Sequence, residues 1–256
     1  KKDYNESSIL VLRSIDALRA KPQMYIGSTN NPFHLLSELI DNSCDEINEG
    51  YGSKVMITLK KGNVVSIQDN GRGIPCKIHP EENVPTVDLV FTELHAGGKF
   101  NTKTYTTSGG THGIGAAATC ALSEWLKVIV HREGKVWERE YRRGIPTAKN
   151  VKSKRGSRTK TGTYIEFLPD KEIFKNIAFD PEMIVKRITE LSYLLPNAEF
   201  IFYNERDDEE PIRVKAKGGI SDFVAEIAKE DNAFHKPLYF SGELNNIKVK
   251  CAFVYT

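Results

Sequence analysis

Helices stacked against a mostly antiparallel sheet, an α+β sandwich, is the fold class this sequence predicts. Helical and strand-like segments alternate in blocks, and two pairs of β-rich runs are close enough to be hairpins, which disfavours a doubly wound parallel sheet. One early helical stretch is strongly one-sided, with an apolar arc suited to covering such a sheet. At 256 residues and 39% apolar content the chain can bury a sizeable core as one large or two small domains.

The one-sided stretch spans residues 31–50. Leu35, Leu36, Leu39, Ile40, Cys44 and Ile47 cover one arc, while His34, Glu38, Asn42 and Asp45 fall in a narrow polar stripe. Asn31 can cap it, Pro32 suits the first turn, and Gly50 and Gly52 can end it. Two β-rich runs follow, residues 54–59 and 64–69, joined by Lys60 to Asn63 as a hairpin. Residues 86–94 read as helix. Residues 95–110 are too polar and glycine-rich for a packed element and suit a lid. A helix is expected over 112–122, a second hairpin over 125–132 and 135–141, and a strand over 163–168. Asp180 and Pro181 open an amphipathic helix reaching about Leu195. The acidic run from Glu205 to Glu210 reads as a solvated turn. A domain boundary near residue 217 gives domains 1–216 and 217–256, with a new helix and strands beginning after it. No internal repeat is evident.

Charge and cysteines narrow the function classes. The net charge of +2 implies no global pull toward polyanions, so any such contact is local. Residues 149–160 hold six basic side chains in twelve, which reads as a solvated loop or as a phosphate contact. The four cysteines, Cys44, Cys76, Cys120 and Cys251, form no CxxC pair, arguing against a zinc site or a disulfide framework; they read as small buried residues. No apolar run approaches the ~18 residues that span a bilayer, so a cytoplasmic protein without a membrane partner is expected.

The glycine-rich segments point to a ligand. Residues 109–115 precede a helix, and their N–H groups suit a polyphosphate or serve only as a flexible turn. Residues 113–118 also match GxGxxA with Glu133 about twenty residues on, but a dinucleotide fingerprint needs a strand before the glycines, and a polar segment stands there. No Walker A sequence is present. Asp69 at a strand end, beside Gly71 and Gly73, can accept a hydrogen bond from an adenine amine, or the segment is a plain Asn-Gly turn. Thr163, opening a strand, can add a second polar contact directly or through water.

Taken together, residues 21–27, 38–46, 68–75, 78–81, 94–100, 108–115 and 160–163 resemble, in order and across almost the whole chain, the ATPase region of bacterial type IIA DNA topoisomerase B subunits, gyrase B and its topoisomerase IV counterpart, within the GHKL superfamily. The resemblance implies a Bergerat sandwich followed by the start of a transducer domain. Glu38 is then the base that activates water and His34 its orienting partner. Asn42 gives its amide oxygen to Mg²⁺, and Glu46 pairs with Arg72. Asp69 binds adenine beside Gly73 and Thr163, with Ile74, Pro75, Val90 and Ile165 as walls. Lys99, Gly110, His112, Gly113, Ile114 and Gly115 hold the phosphates, and Tyr105 belongs to the lid.

The same resemblance extends to partners. Arg132 matches the arginine associated with aminocoumarin inhibitors, whose contacts also include Asp69, Arg72, Pro75 and Thr163. Tyr4 matches an arm that enters a second copy's nucleotide site, so ATP-driven dimerisation is implied, together with a DNA-cleaving A-type subunit and DNA through the full enzyme. Gln23, Thr106 and Thr111 depart from the usual pattern. The family's transducer domain supplies a lysine to the γ-phosphate beyond the region matched by this chain, so a nucleotide-binding module with slow hydrolysis of its own is the alternative reading.

Overall fold

The computed structural model describes residues 12, 14–96, 113–207, 210–245 and 247–256. Of the predicted site residues, Tyr4, Lys99, Tyr105, Gly110 and His112 lie outside the described residues, as does most of the 95–110 segment.

Two short helices, α1 (Ser14–Ala20) and α2 (Gln23–Ile26), precede α3 (Phe33–Asn48). The Asn31 carboxamide oxygen accepts the Phe33 N–H at 3.1 Å, and Gly50, at φ +84°, closes the other end by donating to the Ile47 carbonyl. The apolar arc is buried as the pattern requires: Leu35, Leu36 and Ile40 have no exposed surface. Each such side chain contributes roughly 1.5–3 kcal/mol of hydrophobic stabilisation.

The sheet comprises β1 (Lys54–Leu59), β2 (Val65–Asp69), β3 (Ser123–Arg132), β4 (Lys135–Arg142), β5 (Ile145–Pro146), β6 (Lys152–Arg155), β7 (Gly162–Pro169), β8 (Glu199–Asn204) and β9 (Ile212–Val214). Its order is β5-β4-β3-β7-β2-β1-β8-β9, with β6 also paired to β4. Every pairing is antiparallel except β1 with β8. Along β3, buried Leu126, Val128 and Val130 alternate with partly exposed Lys127, Ile129 and His131, the period expected of a sheet covered on one face.

Three further helices pack on the core. In α4 (Thr86–Thr92), Asp88 receives two hydrogen bonds from the Arg139 guanidinium (2.7 and 2.6 Å) and one from the Tyr141 hydroxyl (2.8 Å), tying the helix to β4. Helix α5 (Gly115–Ala121) is almost wholly buried. Helix α6 (Pro181–Leu194) is capped by the Asp180 carboxylate, which accepts the Glu182 N–H at 2.9 Å, and its Arg187 reaches Asp41 of α3 at 2.6 Å. Helix α7 (Ile220–Ile227) and a two-stranded sheet of β10 (Leu238–Leu244) and β11 (Ile247–Phe253) follow, with Phe223 of α7 against Tyr193 of α6 at 5.2 Å between ring centroids.

Several expectations change. The helix expected over 112–122 begins at Gly115, because Gly113 adopts φ +61°, outside the right-handed helical region. The helix expected over 86–94 ends at Thr92. The basic segment read as a loop contains β6, recruited by the edge of β4. Cys251 is exposed rather than buried, while Cys44, Cys76 and Cys120 are buried.

Candidate functional site

The site forms where the end of β2 meets the start of β7 and the polar side of α3. Asp69 ends β2, and its Oδ1 accepts two backbone N–H groups, Gly71 at 2.8 Å and Thr163 at 3.2 Å. The Thr163 hydroxyl in turn accepts the Ile74 N–H at 3.3 Å. This closeness depends on glycine. A Cβ at Gly162, which sits at φ +131°, would lie 2.2 Å from the Asp69 carbonyl oxygen, and one at Gly73, at φ +77°, would lie 2.7 Å from that of His131. The carboxylate is therefore held in one orientation. Burial pushes its pKa up to about 6, against the opposing pull of the Gly71 and Thr163 N–H groups and the Ser43 hydroxyl, with Glu46 adding a smaller upward push.

The rim is built from α3 and the glycine segment. Glu46 receives the Arg72 guanidinium in a two-pronged pair, Nε to Oε2 at 3.0 Å and Nη2 to Oε1 at 2.7 Å, and also the Arg72 backbone N–H at 3.1 Å. The guanidinium lies over the Tyr51 ring, 3.9 Å from its centroid. Arg132 donates to the Gly73 carbonyl at 2.6 Å. Tyr51, Asn70, Arg72, Arg132, Glu133 and Thr161 line a groove of about 320 Å³ at this rim. Pro75 and Ile74 follow on the same segment, and Ile165 is buried on β7.

The other end of α3 carries the His34–Glu38 pair, Nε2 to Oε1 at 3.3 Å. That contact with Glu38 raises the His34 pKa, against partial burial. Glu38 in turn lies beneath the first residue of α5: a Cβ at Gly115 would fall 2.1 Å from Glu38 Oε2. Residues 113 and 114 lead into that contact. Glu38 and Glu46 are eight residues apart, about 12 Å along the axis, and Asn42 lies halfway between them, partly exposed. The Glu38 carboxylate, the Asn42 amide and the Glu46 rim carboxylate are thus lined up from the α5 terminus to the Asp69 clamp. Asp45, in the same stripe, is buried (4% exposed), whereas Glu38 and Asn42 are partly exposed.

Sequence reasoning missed two contributors. Tyr51 gives no pattern signal, being a single aromatic after a helix stop. Asn70, read only as part of a turn, accepts the Ser53 and Lys54 N–H groups at 2.9 Å each and so fastens the glycine segment to β1. No group of three His, Cys, Asp or Glu suited to a metal is found among the described residues. A partly exposed amide oxygen at Asn42 suits a hard cation that keeps most of its ligands as phosphate oxygens and water.

Comparison with known proteins decides the lineage. Residues 27–173, more than half of the chain, match the family described as histidine kinase-, DNA gyrase B-, and HSP90-like ATPases. The chain belongs to that ATPase family. The match contains α3, the Asp69 clamp and the start of α5, so every described site residue named above lies inside it. Within the family, the chain is 40% identical to the B subunit of DNA topoisomerase 4 from Staphylococcus aureus strains MW2 and MRSA252, over 99% of its own length and 38% of theirs. It is also similar to the solved 43K ATPase domain of Thermus thermophilus gyrase B in complex with an aminocoumarin, with a TM-score of 0.84 at 33% identity, covering 95% of this chain and 63% of that one. The chain thus spans less than half the length of the curated relatives it matches.

Proposed function

We propose that this chain is the ATP-binding and ATP-hydrolysing module of a bacterial type II DNA topoisomerase, in which ATP-driven dimerisation powers strand passage, as supercoiling or decatenation. The observation that carries the reading is the alignment of the Asp69 clamp and the Glu38–Gly115 contact along one helix. In this reading residues 1–216 form the ATPase domain and residues 217–256 begin a transducer domain. A second copy entered by Tyr4, a DNA-cleaving A-type subunit and DNA are its partners, in the cytoplasm.

The residues divide the work by chemistry. The adenine amine donates to the Asp69 carboxylate, whose position is fixed by the Gly71 and Thr163 N–H groups, while Gly73 lets the flat ring approach the backbone. Ile74, Pro75, Val90 and Ile165 exclude water around it. The phosphates extend toward the α5 N-terminus, where Gly110 to Gly115, Lys99 and Tyr105 contribute donors and charge. Mg²⁺, when bound, neutralises developing charge on the phosphates, and Asn42 would be its protein ligand. Glu38 accepts the proton of the attacking water, and His34, bonded to it, holds the carboxylate in place. Arg72 and Arg132 of the rim groove, together with Asp69, Pro75 and Thr163, take the aminocoumarin class of inhibitor.

The test separates binding from chemistry. Glu38→Ala is expected to retain affinity for a non-hydrolysable ATP analogue while Mg²⁺-dependent phosphate release falls by about 10²- to 10⁴-fold, the range for removing a general base. Unchanged phosphate release by this variant contradicts the assignment of Glu38.

A further inference from the structure

The basic segment 149–160 is not used by the nucleotide site. Lys149, Lys152, Lys154, Arg155, Arg158 and Lys160 are all exposed, and none has an ion-pair partner among the described residues. The nearby carboxylates are already engaged. Glu138, opposite Lys152 across β4, pairs with Lys127 at 3.3 Å, and Glu133 is taken by Lys77 and Arg132. Folding instead adds cations to the cluster: Lys135 is the register partner of Arg155, so two like charges stand opposite each other on one face of the β4–β6 pair. Like charges placed so are destabilising, and the Lys135 ammonium lies over the Trp137 ring, 5.2 Å from its centroid, rather than on a carboxylate.

The cluster is also held in shape. Strand β6 pairs with β4 over four residues, and Gly156 donates to the Gly134 carbonyl at 2.9 Å, fastening its end to the β3–β4 turn. Lys152 and Lys154 share a face about 7 Å apart at strand rise. Protection of an exposed edge is the simpler use of charged residues on such a strand. The opposite edge shows what that requires here: β9 carries a single cation, Arg213, paired with Glu199 at 3.4 Å. The β6 edge exceeds this severalfold and leaves its charge unneutralised.

We infer that the β6 edge, extended by Lys135 and the 156–160 turn, is a docking surface for the phosphate backbone of duplex DNA. Lys152 and Lys154 on one face of the strand, with Arg155 and Lys135 on the other, complement a duplex that carries a charge every 3.4 Å or so of helix axis on each strand. With no aromatic among residues 149–160 to stack a base, the surface reads phosphate and not sequence. The choice of duplex DNA over another polyanion rests on the proposed topoisomerase reading; the contact itself rests on the charge geometry.

The test is fluorescence anisotropy with a labelled duplex of about thirty base pairs, titrated with this chain from about 50 to 200 mM salt. The variant is Lys152→Ser/Lys154→Ser/Arg155→Ser/Arg158→Ser, and Lys248→Ser/Lys250→Ser serves as a control on β11. The unsubstituted chain is expected to bind with a steep salt dependence, and the fourfold variant to lose at least about tenfold in affinity at 100 mM. Its slope of log affinity against log salt should be shallower by roughly 0.9 for each phosphate that is no longer neutralised. The control should leave both unchanged. ATP-analogue binding by the fourfold variant should also be unchanged, which separates this surface from the nucleotide site. No duplex binding by the unsubstituted chain, equal affinity and slope in the fourfold variant, or an equal loss in the control overturns the inference. So does a loss that appears with anionic vesicles and not with duplex.

Discussion

Asp69 combines a structural constraint with the adenine contact proposed for it. Its carboxyl is raised from an ordinary 3.8 to about 6 by burial. The folded chain therefore holds this proton more tightly than the unfolded chain, and the contribution of Asp69 to stability rises as pH falls through about 6, levelling below about 4. Above pH 6 the ionised group costs about 3 kcal/mol at 1.36 kcal/mol per pKa unit, a cost consistent with a residue kept for binding. Asparagine at this position can still accept the Gly71 and Thr163 N–H groups through its amide oxygen. Asp69→Asn is thus expected to raise the melting temperature by a few degrees at pH 7.5 and to change it little at pH 4, measured by calorimetry. A lowered melting temperature at pH 7.5 would show that the ionised carboxylate stabilises the fold. At the same scale, Gly115 is specified by contact with Glu38, which leaves no room for a Cβ.

Helix α4 owes its place to the buried Asp88–Arg139 pair and the Tyr141 hydroxyl bonded to it. Asp88→Ala would leave the Arg139 guanidinium, 5% exposed, without its carboxylate, and a loss of about 3–5 kcal/mol in urea unfolding is expected. Adding Arg139→Met should recover most of that loss, because the stranded charge goes with it; a double variant as unstable as the single one would contradict this account. Elements of this kind divide sharply in how far sequence reveals them. The period of α3, the β1–β2 and β3–β4 hairpins and α6 follow from local patterns, and α6 even announces its cap at Asp180. Strand β6 does not, since four exposed residues on a sheet edge carry no alternation and become a strand only because β4 offers them a partner. The start of α5 is set by backbone conformation: Gly113, at φ +61°, lies outside the right-handed helical region, so the helix begins at Gly115 and not at residue 112. In the site, Asp69, Glu38 and the Glu46–Arg72 pair are legible from residue type and spacing together with family resemblance. Tyr51 and Asn70 are not, because their roles are contacts made across the fold.

Across the whole molecule, α3 is the organising member. It lies on β1 and β2, touches Gly71 through Glu46 and Gly115 through Glu38, and is fastened to α6 by the Asp41–Arg187 pair. Helix α6 also carries Tyr193, which meets Phe223 of α7, so the helix bearing Glu38 and the C-terminal elements share one neighbour. The central claim is that this arrangement holds a single adenosine polyphosphate along α3, with its base at Asp69. Isothermal titration of a non-hydrolysable ATP analogue with Mg²⁺, compared between the unsubstituted chain and Asp69→Asn, tests it most directly. The account predicts binding by the first and a loss of about ten- to a hundredfold by the second, as expected for a charged hydrogen bond worth about 1.5–3 kcal/mol. Equal affinity in the two proteins, or no binding by the unsubstituted chain, would contradict it.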